Sequence, residues 1–415
     1  MTVSRNPHAG WGRRADSRRI RVSHGCLVRV RLPQSGVSAA LVAVIVLLGS
    51  PSHAASGAPA FAPTPTSPVY GNISGALPPN FHYVYNDTYR GWPINPKHAE
   101  HPVRGSFLDP RGKDDAGLSG YHFGIDVSVD DRRPEAGAPV LLSHRVYAVE
   151  SGRASVNANT KTLTCLNRRL GVGHFAYWHV SPTVTNGQRV QAGQQIGWSC
   201  KGVWHVHLSE WQLFRGKRVW VNPLHHGSKL APYTDTIPPV VNALVFVTPP
   251  ARPWHPTVSL AGLDASTVLQ GNHLHGLVEL RANIADVESF LGFLTDNPAW
   301  PTAFTPYRVT VTIRSAKTGS TIMNRVSFQA DQLPQTPYIV HYAPGTIEDD
   351  NMQECVGPPA LKKCAGTYWF RPFSRFHEEY WDTHTTPNGP YWVTVNAYDL
   401  AGDVGSRSVL VRVRN

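Results

Sequence analysis

Three short fragments, His122-Phe-Gly-Ile-Asp126, Tyr177-Trp-His179 and His205-Val-His207, follow one another in order along the chain. They supply four imidazoles and one carboxylate, the donor types that bind zinc and move protons beside it. A lone pair of histidines on a strand arises by chance. Three fragments set among glycine-punctuated short strands make a site. Two histidines and one aspartate leave a fourth zinc position open, as hydrolysis requires. No HExxH helix is present to supply a glutamate base. His179 and His205 are therefore the candidates for proton transfer and for stabilising a developing oxyanion.

Spacing sets conditions on the backbone. Alternate residues of a strand share a face, so His122, Gly124 and Asp126 point one way, with Phe123, Ile125 and Val127 toward the core. A straight strand separates the α-carbons of His122 and Asp126 by about 13 Å, too far for donors that must each approach a metal within about 2 Å. The chain must bend between them, and Gly124 permits it. In His205-Val-His207 both histidines share a face. One can hold metal while its neighbour, about 7 Å away along the backbone, faces the open position.

The set His-x-Gly-x-Asp, Tyr-x-His and His-x-His, with Gly187-Gln-Arg-Val-Gln-Ala-Gly193-Gln-Gln-Ile-Gly197 before the last, resembles the lysostaphin-type (LytM, duplicated hybrid motif) zinc metallopeptidases. That family cuts cross-bridges or stem peptides of peptidoglycan. The resemblance covers roughly residues 105–213. It implies zinc ligands at His122, Asp126 and His207, with His179 and His205 as catalytic histidines. Two departures concern the groove. Leu208 is followed by Ser209 where the family usually has glutamate, with Glu210 one place later, and the short Cys200-Lys-Gly-Val-Trp204 replaces a glycine-rich loop.

The elements that must position these residues read as strands. Short β-prone runs with tight turns occupy Gly124–Val129, Val146–Val149, Leu163–Leu166, His174–Val180, Gln194–Trp198 and Trp204–Leu213. Gly187 and Gly193 mark successive turns. Asp235-Thr-Ile-Pro-Pro239 reads as a boundary, because paired prolines interrupt helix and sheet alike. Beyond it, Gly276–Ile284, Tyr307–Ile313, Thr321–Phe328, Tyr391–Tyr398 and Val409–Val413 read as strands, with turns at Lys317-Thr-Gly319 and Asp399-Leu-Ala-Gly402. The expected fold is all-β: a compact antiparallel metallopeptidase domain over 81–235, then an immunoglobulin-like β-sandwich over 236–415.

Residues 1–54 read as a secretory signal peptide: a basic stretch, the apolar run Val37–Leu48, and Ser52-His53-Ala54 as a small-x-small cleavage signal. Residues 55–80, rich in Pro, Ala and Ser, read as a flexible leader. The expected location is secreted or periplasmic, with no stable membrane insertion after cleavage. The signal carries eight arginines and one acid, so a formal charge of +11 falls to about +4 on the mature chain. Nucleic acid is therefore not an expected partner. Four of the five cysteines remain, and two disulfides are expected, Cys165–Cys200 and Cys355–Cys364 preferred because each lies within one domain.

Trp178 and Trp211 suit a substrate groove or a core equally. His174, His225 and His226 read as surface or loop histidines, and Glu348-Asp349-Asp350 as a solvated acidic turn. The reading that results is an exported zinc endopeptidase on peptidoglycan peptides. The rivals are a non-catalytic envelope scaffold or activator of another wall hydrolase, and a secreted protease on Gly-rich proteins.

Overall fold

The computed structural model describes residues 75–111, 120–129, 143–157, 163–249, 267–287, 303–334, 336–346, 367–373 and 380–415. These are nearly all strand and turn, arranged in antiparallel sheets, so the all-β fold is as expected. The expected signal peptide and most of the expected leader, Cys355, Cys364 and Glu348-Asp349-Asp350, expected as a solvated turn, lie outside the described residues. No helix among the described residues is long and apolar enough to cross a membrane.

Eleven strands precede residue 222: β1 (Val103–Gly105), β2 (Ile125–Ser128), β3 (Arg145–Tyr147), β4 (Gly152–Val156), β5 (Arg169–Val172), β6 (Phe175–Trp178), β7 (Val180–Pro182), β8 (Arg189–Val190), β9 (Gln195–Ser199), β10 (His205–Phe214) and β11 (Lys217–Val221). Eight of them form one sheet in the order β1-β2-β10-β6-β5-β4-β8, with β11 paired to β10, and β3-β9-β7 form a second sheet. The long β10 is the hub. Its inward residues Val206 and Leu208 are fully buried with Ile196, Val180 and Tyr177 in one apolar cluster. Its alternate residues carry the chemistry.

Most short strands fall where periodicity places them, with two corrections. Leu163–Leu166 is not a strand, because residues Cys165–Asn167 form a 3-10 turn. The expected strand His174–Val180 is broken in two at His179, whose φ of 61° lies in the left-handed region. Strands β1, β4, β5, β8 and β11 are additions, each at most five residues long and too short for a clear apolar alternation.

After residue 239 come β12 (Val240–Val247), β13 (Leu277–Ala285), β14 (Arg308–Ser315), β15 (Thr321–Gln329), β16 (Trp369–Phe370), β17 (Trp381–Asp382), β18 (Gly389–Tyr398) and β19 (Val404–Val413). One sheet is β12-β13-β16 with β17 paired to β13, and the other is β15-β14-β18-β19. Val278, Leu280 and Ile284 of the first sheet and Val309, Val311, Val393 and Val395 of the second enter the same apolar cluster as the residues packed under β10.

A seam of specific bonds joins the two regions. Asn222 N–H donates to the Asp331 carbonyl and Leu333 N–H to the Trp220 carbonyl, both at 3.0 Å. The buried Asp331 carboxylate accepts from Leu77 N–H at 2.8 Å and Gln329 Nε2 at 2.6 Å, and from the Tyr307 hydroxyl. Each hydrogen bond to a buried charge contributes about 1.5–3 kcal/mol. Asp331→Ala, which leaves these donors without an acceptor, is expected to lower unfolding stability by about 2–4 kcal/mol. Urea denaturation followed by tryptophan fluorescence checks this.

Candidate metal centre

The centre is built across β2, β10 and β6 by strand register. Asp126 pairs with His207, His205 with Ser128, and His207 with Trp178 on the other side, so the carboxylate and both histidines of β10 share one face. His122 precedes β2 and reaches the same point because the chain bends at Gly124. Gly124 has a second reason to lack a side chain: an added Cβ would lie 2.4 Å from the Leu208 carbonyl oxygen and 2.7 Å from His207 Nε2. Gly105 plays the same part on β1, where a Cβ would meet Arg111 Nη2 at 2.6 Å and Asp126 Oδ2 at 2.7 Å.

His122, Asp126 and His207 converge as a buried group able to hold a metal ion. His122 Nε2 lies 2.8 Å from His207 Nδ1, and each lies 3.2 Å from Asp126 Oδ1. A tetrahedral ion with bonds of about 2 Å separates its donors by about 3.3 Å, so the two 3.2 Å separations fit and the two imidazoles need only part by about half an ångström. The outer atoms fix the inner ones. His122 Nδ1–H donates to the Ser106 carbonyl at 2.8 Å, which turns the Nε2 lone pair inward. His207 Nε2 pairs with Ser209 Oγ at 2.8 Å, leaving Nδ1 to the centre. Arg111 Nη2 holds Asp126 Oδ2 at 3.0 Å, leaving Oδ1 to the centre.

His205 and His179 stand beside this group. His205 Nε2 is 3.4 Å from Asp126 Oδ1, and the His179 and His205 rings meet edge to face at 4.8 Å. His179 Nδ1–H donates to the Leu166 carbonyl at 2.6 Å; a carbonyl only accepts, so Nε2 carries the lone pair. His179 and Trp204, which immediately precedes His205, both have left-handed backbones, with φ of 61° and 63°. Such conformations cost non-glycine residues about 1–3 kcal/mol each, and they cluster at sites where geometry matters more than stability.

Burial controls the charges. It pulls His122 down to about 4, helped by the Arg111 cation and opposed by Asp126. Burial likewise brings His179 to about 4 and His205 to about 3, against the pull of Asp126. For Asp126 burial acts upward, but attraction to His122 and His205 and hydrogen bonds from His122 and His207 hold it well below the usual carboxylate range. At neutral pH Asp126 is a carboxylate and His122, His179 and His205 are neutral, a protonation state that favours binding a cation.

All five expected residues are thus brought together. Phe123 is buried in the apolar core as expected, and its ring also packs at 4.8 Å from His207, 5.5 Å from Trp178 and 5.3 Å from Trp220. Trp178 is half-buried, edge-on to His207 at 6.0 Å and under the Arg169 guanidinium at 4.7 Å, whereas Trp211 packs on His174. His225 is not a surface residue. It is buried, stacked on Tyr83, and bonded to the Tyr85 hydroxyl, which also donates to buried Glu210. His174 in turn pairs with buried Glu150. The reason is the two carboxylates, which burial obliges to find donors. His226 is exposed. Ser106, Arg111, Leu166 and Ser209 were not foreseen. Only Ser209, two residues from His207 on the same strand face, carried a local signal.

The region beyond residue 239 reaches this centre from behind. The Tyr342 hydroxyl donates to the Leu108 carbonyl at 2.9 Å, and Leu108 N–H donates to the His122 carbonyl at 2.8 Å. Tyr121, the neighbour of His122, bonds through its hydroxyl to His341 Nδ1. No protein-family model matches the chain, and comparison with curated proteins finds no match.

Two outcomes are expected. Gly124→Ala pushes β2 from β10 at His207, so metal affinity falls by about 10–100-fold while the fold persists, measured by titration with a competing chelator. The unfolded imidazoles of His122, His179 and His205 take up protons near pH 6.5. The folded ones stay neutral down to about 4, 4 and 3. Acid therefore favours the unfolded chain, and the Tm of chelator-treated protein falls steadily from pH 6.5 to about 4. A Tm that stays flat through this window contradicts the buried neutral imidazoles.

Proposed function

We propose that the chain is an exported zinc metalloendopeptidase that hydrolyses peptide bonds in the cross-links or stem peptides of peptidoglycan. The observation that carries this reading is the convergence of His122, Asp126 and His207 at metal-donor spacing with two neutral imidazoles alongside. Two nitrogens and one carboxylate oxygen suit zinc. Zinc held there supplies Lewis acidity, polarising a scissile carbonyl and acidifying water.

The rest of the chemistry belongs to the side chains. Arg111 and Ser106 hold the donor atoms still, so no reorganisation is required when charge develops. His179 presents Nε2 as an acceptor and, being neutral at pH 7, can take a proton from an attacking water. The proton that His179 takes can return to the leaving amine, while His205, neutral at pH 7 and facing Asp126, is a candidate for stabilising the developing oxyanion. Peptidoglycan as substrate rests on the motif order and the resemblance it carries. Export is supported by the basic-apolar N-terminus and by a disulfide, which persists in oxidising compartments. We propose the region from residue 236 as an immunoglobulin-like accessory domain. Its contacts behind Tyr121 and Leu108 support a role in bracing the site.

The purified protein is expected to bind about one zinc ion and to digest peptidoglycan until a chelator is added, with added zinc restoring activity. His207→Ala should lose zinc. His205→Ala should keep zinc while kcat falls by about 10²–10⁴-fold. Zinc-free yet active protein sinks the mechanism, and full digestion by the His205 variant sinks its role. Mass spectrometry of released muropeptides identifies the bond.

A further inference from the structure

We infer that the Cys165–Cys200 disulfide is the device that positions His179, so that the proposed catalytic imidazole is set only in the oxidised chain. This rests on the role proposed for His179 above. Three hydrogen bonds hold that residue. Its Nδ1–H donates to the Leu166 carbonyl at 2.6 Å, its backbone N–H donates to the Arg168 carbonyl at 3.0 Å, and its carbonyl accepts from Cys200 N–H at 2.8 Å. The first two acceptors belong to the 3-10 turn Cys165–Asn167 and its flank, the third donor to the end of β9. The disulfide ties these two segments together, with α-carbons 5.6 Å apart.

Besides the bridge, the turn's flank is held by Arg168 Nη1 donating to Ser181 Oγ at 3.0 Å and by the pairing of Arg169 with Trp178, but the turn itself is not packed. It buries no residue, and Leu166 is 53% exposed although its carbonyl fixes the His179 tautomer. Cys200, by contrast, is 3% exposed and follows β9, which pairs with β7 through Ser199 and Val180 next to His179. The covalent link therefore anchors an unburied turn to a buried strand end. His179 needs that anchor because its left-handed backbone is disfavoured in a free chain. Among the described residues no hydrogen bond or ring contact joins His122, Asp126 or His207 to either cysteine, so ion binding is expected to survive loss of the bridge. Reduction by a dithiol adds two electrons and two protons to the bridge, gives two thiols, and closes the dithiol to its own disulfide.

The test compares wild type, Cys165→Ser/Cys200→Ser, His179→Ala and the combined variant for zinc content, kcat and KM on peptidoglycan. The cysteine variant should keep zinc and KM but lose about 100-fold in kcat. Adding His179→Ala to it should cost almost nothing more, because both changes remove the same group. Additive losses, loss of zinc, or unchanged kcat overturn the inference. If the serine variant does not fold, dithiothreitol applied to native wild type must produce the same loss of kcat with zinc retained, and full activity after reduction overturns it. If wild type turns over nothing, the proposed function fails, and NMR of the imidazole decides separately. A slowly exchanging His179 Nδ1–H present in oxidised and absent in reduced protein supports positioning, and a resonance unaffected by reduction rejects it.

Discussion

Asp126 Oδ1 lies within 3.4 Å of nitrogens on three different imidazoles, those of His122, His205 and His207. A buried carboxylate must be compensated, and here the compensation is arranged from several directions at once. Arg111 takes the outer oxygen. The inner oxygen collects the rings. Those rings are in turn held from outside by the Ser106 carbonyl and by Ser209. Gly105 and Gly124 are small because the carboxylate, the guanidinium and His207 occupy the space their side chains would need. Much of the local architecture of β1, β2 and β10 follows from housing this one charge.

The same logic explains why the centre reaches beyond its own sheet. His122 is not in a regular strand, and its backbone is fixed through Leu108, a residue with a left-handed φ of 70°. Leu108 is fixed in its turn by the hydroxyl of Tyr342, more than two hundred residues away. Apolar packing is continuous from β10 through the seam at Asp331 to the sheets beyond residue 239. The two stretches of chain thus share one packed core and a chain of hydrogen bonds that ends at the backbone of His122.

A second buried polar cluster, Tyr85–Glu210–His225 with Glu150–His174, sits on the opposite face of β10 and β6 from the donors. It contains His174 and His225, which context assigns to surface or loop positions and which lie in turns yet are drawn inward. Imidazoles are poor reporters of exposure because their placement follows the nearest buried carboxylate, which pattern alone does not reveal. The contrast with His122 and His207 is instructive. Those were legible because two histidines and an aspartate recur at spacings that strands can bring to one face.

The chain's sequence by itself determined the all-β character, most of the strand positions, and the five residues of the centre, because apolar alternation and donor spacing are local properties. It also made Cys165–Cys200 the preferred pairing, because both lie in one region, and the structure contains that bridge. Tertiary structure alone decided the rest: that Arg111, Ser106 and Ser209 hold the donors, that His179 breaks its strand in a left-handed turn, and that Cys165 opens a turn beneath it. These features depend on which segments meet in space. A hydrogen bond from His179 to a backbone carbonyl thirteen residues away leaves no trace in residue identity, since every residue at that position offers the same oxygen.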